Sequence, residues 1–164
     1  MCRMQESTQT RSIEFERNPL TFTKSALALF VIDRLLKLWA YTNPTDTVPV
    51  IGHWIRLELY LNFNVTFGIP LSWNLVLTII SLLLLIFLIA LRILNIKHHK
   101  LQNILILDLI IAGAASNILD RIEHRAVIDY IAIWPWSYIN LADIMILVAL
   151  YLAYKSYDRT STRA

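Results

Sequence analysis

The chain has 164 residues and a formal net charge of +3, and 57% of its residues are hydrophobic against 16% charged, a balance that excludes an ordinary soluble domain and points to a membrane protein. The basic residues lie between apolar runs instead of in one patch, which excludes nucleic acid as a partner, and the single cysteine, Cys2, excludes an internal disulfide. No Cys-x-x-Cys or His-Glu-x-x-His spacing offers a metal site, so chemistry falls to carboxylates, amides and hydroxyls.

In chain order, the first feature is a polar stretch, Arg3 to Lys24, read as an N-terminal arm over residues 1–24. Cys2 precedes it, whereas a lipidated cysteine follows an apolar signal segment, so Cys2 is not read as a lipid attachment site. Four apolar stretches follow, at about 22–41, 74–92, 101–119 and 139–155, each close to the roughly 20 residues a helix needs to cross a bilayer. The first is interrupted by Asp33, Arg34 and Lys37 and is read as a retained membrane segment; Asp33 and Lys37, at i and i+4, suit a structural ion pair that lipid tolerates only with both partners present. The segment 50–69 is rich in aromatic and β-branched residues in partial alternation and reads as short strands, within an outward platform over about 42–73.

The second apolar stretch is the clearest span, since Asn74 to Leu91 holds no charge. His98 and His99 follow beside Lys97 and Lys100, where a solvated basic loop is expected in place of a metal site. The third stretch contains Asp108, for which the sequence offers no partner, and ends in Asn117, Asp120 and Arg121; neighbouring Asp120 and Arg121 suit an ion pair or network. The fourth begins with Asn140 and Asp143, a pattern that also suits an N-cap with an acid in the first turn, and residues 156–164 form a short tail.

Arg3, Arg11, Arg17, Lys24, Arg92, Lys97, Lys100, Lys155, Arg159 and Arg163 fall on one side of a four-span arrangement, and Arg56, Arg121 and Arg125 on the other. The positive-inside rule then predicts cytoplasmic termini, with residues 42–73 and 120–138 outside. Trp39, Tyr41, Trp73, Trp134 and Trp136 are expected at the outer interface, and Tyr151, Tyr154 and Tyr157 at the inner one. The fold class expected is an all-α membrane protein of four transmembrane helices, forming one domain over 25–155, with a small extracytoplasmic β-strand platform.

Asp120, Asp129 and Asp143 are all expected near the outer interface, because the chain leaves the membrane after Arg121 and re-enters near Asn140. Two carboxylates that meet there cannot easily both ionise, and a pair sharing one proton is the chemistry of aspartic proteases.

Five segments carry a family resemblance: Asp33-Arg-Leu-Leu-Lys37, Asn62-Phe-Asn-Val-Thr-Phe67, Ser116-Asn117-Ile-Leu-Asp120-Arg121, Val127-Ile128-Asp129-Tyr130 and Tyr138-Ile139-Asn140-Leu-Ala142-Asp143. In this order, over roughly residues 29–154, the chain resembles the signal peptidase II (lipoprotein signal peptidase) family. The resemblance implies an inner-membrane aspartic endopeptidase with Asp129 and Asp143 as the catalytic pair. Asn117, Asp120, Arg121 and Asn140 would support the pair, and Asn62 would face the substrate. It further implies a prolipoprotein substrate cut before its diacylglyceryl-modified cysteine, contact with membrane lipids, and no metal or organic cofactor; a monomer is expected, though no residue pattern sets the oligomeric state. Asn64, Thr66 and Ser116 depart from the family pattern of Gly, Ala and Gly, and bulk there is expected to affect how closely a substrate backbone approaches.

Two other functions are compatible with parts of the sequence. A proton-coupled transporter would use Asp33, Asp108 and Asp143 as a path, which accounts for Asp108 but not for acids and amides gathered at one face. A catalytically idle assembly factor is permitted by the lost glycines and opposed by the retention of Asp129 and Asp143. Serine chemistry is disfavoured by the lack of a Gly-x-Ser-x-Gly elbow.

Overall fold

The computed structural model describes residues 19–63, 73–97 and 101–161. Its elements run α1 (Pro19–Thr42), β1 (Val48–Ile51), β2 (Ile55–Asn62), α2 (Trp73–Lys97), α3 (Leu101–His124), β3 (Val127–Ile133), β4 (Ser137–Ile139) and α4 (Leu141–Ser161). The chain is thus mostly helical with a small antiparallel sheet. The outer motif around Asn64 and Thr66, the His98–His99 pair and the arm up to residue 18 lie outside the described residues.

α3 is the central helix, packed against α1, α2 and α4. Small residues make this possible: a Cβ at Gly113 would lie 2.6 Å from the Ala142 carbonyl oxygen and 2.9 Å from Ile146 Cγ1, so the α3–α4 crossing is closer than any other residue permits. Ala26, Ile106, Leu109, Ala142, Met145 and Ala149 form the apolar core beneath that crossing. α2 is different, with Leu82, Leu83, Leu84, Ile86 and Phe87 all exposed. A continuous apolar helix surface of this kind is stable against lipid and not against water.

Among the described residues, two stretches are long and apolar enough to cross a membrane by composition, Thr78–Ile96 and Asn103–His124. α1 is as long, at 24 residues, but carries Asp33, Arg34 and Lys37. Asp33 and Lys37 are fully buried, so their charges face the bundle and not its surroundings.

The sheet has the order β1-β2-β3-β4. β3 was not foreseen as a strand, and its burial explains why: Val127 through Tyr130 are all buried, so the segment lacks the polar–apolar alternation of a half-exposed strand. Gly52 takes a φ of 52° in the turn between β1 and β2. The register sets Tyr60 opposite Asp129 and Asn62 opposite Val127, so Asn62 shares the face of Asp129.

Candidate active site

Asp129 and Asp143 come from different elements, β3 and the first turn of α4, and they meet through Asn140. Asn140 Nδ2 donates to Asp129 Oδ1 at 2.7 Å, while Asn140 Oδ1 accepts the backbone N–H of Asp143 at 2.9 Å as the N-cap of α4. The backbone N–H of Asn140 in turn donates to Asp143 Oδ2 at 3.3 Å, closing a reciprocal cap. The capping role and the site role of these residues are therefore the same set of bonds.

Each carboxylate receives a further amide. Asn62 Nδ2 donates to Asp129 Oδ2 at 3.0 Å, and Asn117 Nδ2 donates to Asp143 Oδ1 at 2.9 Å. Asp129 is almost fully buried, whereas Asp143 is half-buried and accessible to water. Burial is the main reason that the Asp129 carboxyl is pushed from its ordinary value of 3.8 up to about 6; the Asn62 hydrogen bond opposes this, and the nearby Asp143 charge reinforces it. Asp143 stands at a helix N-terminus, where unpaired N–H groups attract negative charge.

Behind the pair lies a second cluster of charge. Lys37 Nζ lies 3.1 Å from Asp33 Oδ2 and 2.7 Å from Asp120 Oδ2, and Arg34 forms a further ion pair with Asp120. Asp120 also accepts the backbone N–H of Ile128 at 3.2 Å, tying the end of α3 to the strand that carries Asp129. Asp120 thus joins a network with α1, and Arg121 lies within electrostatic reach of Asp143, Asp120 and Asp129. Asp33 accepts from Ser116 Oγ at 2.5 Å, from the Tyr130 hydroxyl at 2.9 Å and from the backbone N–H of Ala142 at 3.2 Å. Tyr130 accepts the Leu141 backbone N–H at 3.0 Å, and burial is the main force raising its phenol. The first three N–H groups of α4 are thereby all satisfied, one each by Tyr130, Asp33 and Asn140.

Sequence reasoning passed over three of these groups. Arg34 and Tyr130 registered only as an interruption and a motif position, and Ser116 only as a departure from glycine. The signal for Arg34 was available, since a charge inside an apolar span requires a partner. Asp108, unexplained by sequence, forms an ion pair with Arg92 and accepts from Thr23 Oγ1 at 2.8 Å, joining α3 to α2 and α1.

A family model for signal peptidase (SPase) II matches residues 25–157. The chain belongs to the signal peptidase II family. Its relatives include the lipoprotein signal peptidase of Clostridioides difficile (strain 630), 31% identical over 127 residues that cover 74% of this chain and 84% of the relative. That of Moorella thermoacetica is 31% identical over 136 residues, covering 81% and 89%. Two solved structures, both titled as bacterial membrane enzymes determined by the in meso method, share the fold. One has a TM-score of 0.71 at 22% identity, covering 87% of this chain and 90% of its own, and the other 0.67 at 23%, covering 85% and 91%. Membership makes this chain a bacterial membrane protease.

Proposed function

We propose that the chain is an aspartic endopeptidase that removes signal peptides from lipid-modified prolipoproteins, cutting before the diacylglyceryl cysteine, with Asp129 and Asp143 as its catalytic pair. The observation that carries this reading is the coupling of two acids from separate elements through one buried amide, Asn140, with an N–H supplied to each.

In the reaction, the ionised Asp143 takes a proton from water as the water oxygen attacks the scissile carbonyl. Protonated Asp129 donates to the carbonyl oxygen; as the C–N bond then breaks, Asp143 passes the proton it took from water to the leaving amine and Asp129 recovers a proton from the gem-diol, restoring the pair. A carboxyl raised to about 6 needs only modest further desolvation by a covering substrate to hold its proton at neutral pH. Asn62, at the end of β2 beside Asp129, suits contact with an extended substrate, and Asn117, Asp120, Arg121 and Asn140 support the pair. The proton-relay alternative loses the feature that favoured it, because Asp108 is engaged by Arg92 and Thr23.

All four helices span the inner membrane in this reading, with both termini cytoplasmic and the sheet outside. The peptidase domain over 25–155 lies between a cytoplasmic arm and tail and acts as a monomer, since one chain supplies both acids. Trp54, Trp134 and Trp136 are exposed where the two hairpin turns meet, with the Trp134 N–H donating to the Trp54 carbonyl, and such side chains suit the outer lipid interface.

The test is incubation of purified protein with a lipidated precursor beside its unlipidated form. Cleavage of the lipidated form alone is expected, with none by Asp129→Asn or Asp143→Asn. Normal turnover by either variant would end the assignment of the pair, and equal cleavage of both precursors would end the assignment of the substrate.

A further inference from the structure

A lysine ammonium donates hydrogen bonds and accepts none. Lys37 is buried on α1, and besides Asp33 and Asp120 its Nζ meets Ser116 Oγ at 3.3 Å and the side chain of Asn117 at 2.8 Å. The Asn117 atom that faces an ammonium has to be the amide oxygen. With the oxygen fixed there, Nδ2 points the other way, to Asp143 Oδ1. The same oxygen accepts from Asn140 Nδ2 at 3.3 Å, which helps set the second amide: its Nδ2 serves Asp129 and its Oδ1 receives the Asp143 N–H.

We propose that Lys37 is a positioning residue for the catalytic pair: its ammonium locks the orientation of Asn117 and through it steadies Asn140, so that each reacting carboxylate is presented with one amide N–H. The inference rests on the reading of Asp129 and Asp143 as that pair. Without the ammonium, Asn117 loses the shortest of the three contacts that hold its amide orientation, the others being to Asp143 and Asn140. In the reversed one its oxygen opposes the Asp143 carboxylate and its nitrogen opposes Asn140 Nδ2, acceptor against acceptor and donor against donor. Lys37 is buried and touches no substrate, so its loss acts on turnover and not on binding.

A purely structural ion pair would behave differently. Arg34, Lys37, Asp33 and Asp120 carry two charges of each sign, and Arg34 also reaches the exposed, solvated Glu123. Combining Asp33→Asn with Lys37→Met removes one of each and leaves no uncompensated buried charge, while the amide at position 33 still accepts from Tyr130 and Ala142. This double variant should melt within a few degrees of wild type, yet cut a lipidated precursor with kcat reduced about ten- to hundredfold and KM within about twofold. Recovery of kcat along with stability would overturn the proposal. Should that variant fail to fold, Lys37→Gln and Lys37→Met are compared at matched folded fraction. Glutamine retains an uncharged N–H donor, so it should turn over faster, and equal rates would overturn the proposal. In an Asn117→Ala background, Lys37→Met should cost little more in kcat, and a full multiplicative loss would count equally against it. Failure of the pair itself reads out separately, as turnover by Asp129→Asn or Asp143→Asn.

Discussion

Replacing Asp129 by asparagine should make the protein more stable at alkaline pH while leaving it inactive. The folded protein holds this carboxyl at about 6 against an ordinary 3.8, chiefly because the carboxylate is buried. A raised acid contributes stability that is fully present below about pH 4 and is lost as pH rises through about 6. At about 1.4 kcal/mol per pH unit, the ionised group costs the fold about 3 kcal/mol at pH 8. Asparagine carries no such cost, but its amide presents a donor toward either Asn62 or Asn140, which offsets about 1 kcal/mol unless Asn62 turns its own amide. The net gain is about 2 kcal/mol at pH 8, or roughly 4–8 °C in Tm, with a loss of a few degrees at pH 4. Thermal unfolding of both proteins in detergent from pH 4 to 8 checks this. A difference in Tm that stays flat with pH, or that grows toward acid, would refute the claim that burial dominates at Asp129.

Asp108→Ala leaves Arg92 without its carboxylate partner and should cost about 2–3 kcal/mol, measured as a lower Tm, while Asp108→Leu combined with Arg92→Met recovers most of it. The folded fraction should retain its turnover, because Asp108 lies nine residues, about 13 Å along α3, from Asn117. Gly113→Ala places a methyl group against the Ala142 carbonyl, so α4 has to shift outward with Asp143 on it; kcat should drop about tenfold or more, with a smaller effect on Tm. Brominated lipids should quench part of the tryptophan fluorescence, and Trp134→Ser with Trp136→Ser should remove much of that quenching, since Trp136 is 77% exposed. Unchanged quenching would mean that the hairpin turns stand clear of the bilayer.

The candidate site is legible in the sequence where rare residue types stand in apolar surroundings. Asp33 and Lys37 announced an ion pair by their spacing, and Asp129 stood out between Ile128 and Tyr130. What escaped was whatever depends on long-range partners. Asp108 finds Arg92 on the neighbouring helix, 16 residues back, and Thr23 from 85 residues away, a pairing no local pattern contains. β3 is covered on both faces and so shows no alternation, and β4 has only three residues. The tight crossing at Gly113 looks in sequence like one small residue among several, and only the carbonyl of Ala142 above it reveals why it is needed.

The start of α4 is held by side chains from α1, from β3 and from the residue just before it. Its opening turn is therefore seated only once those distant parts of the chain have come together. On the proposed function, peptide-bond cleavage is tied in this way to completed assembly.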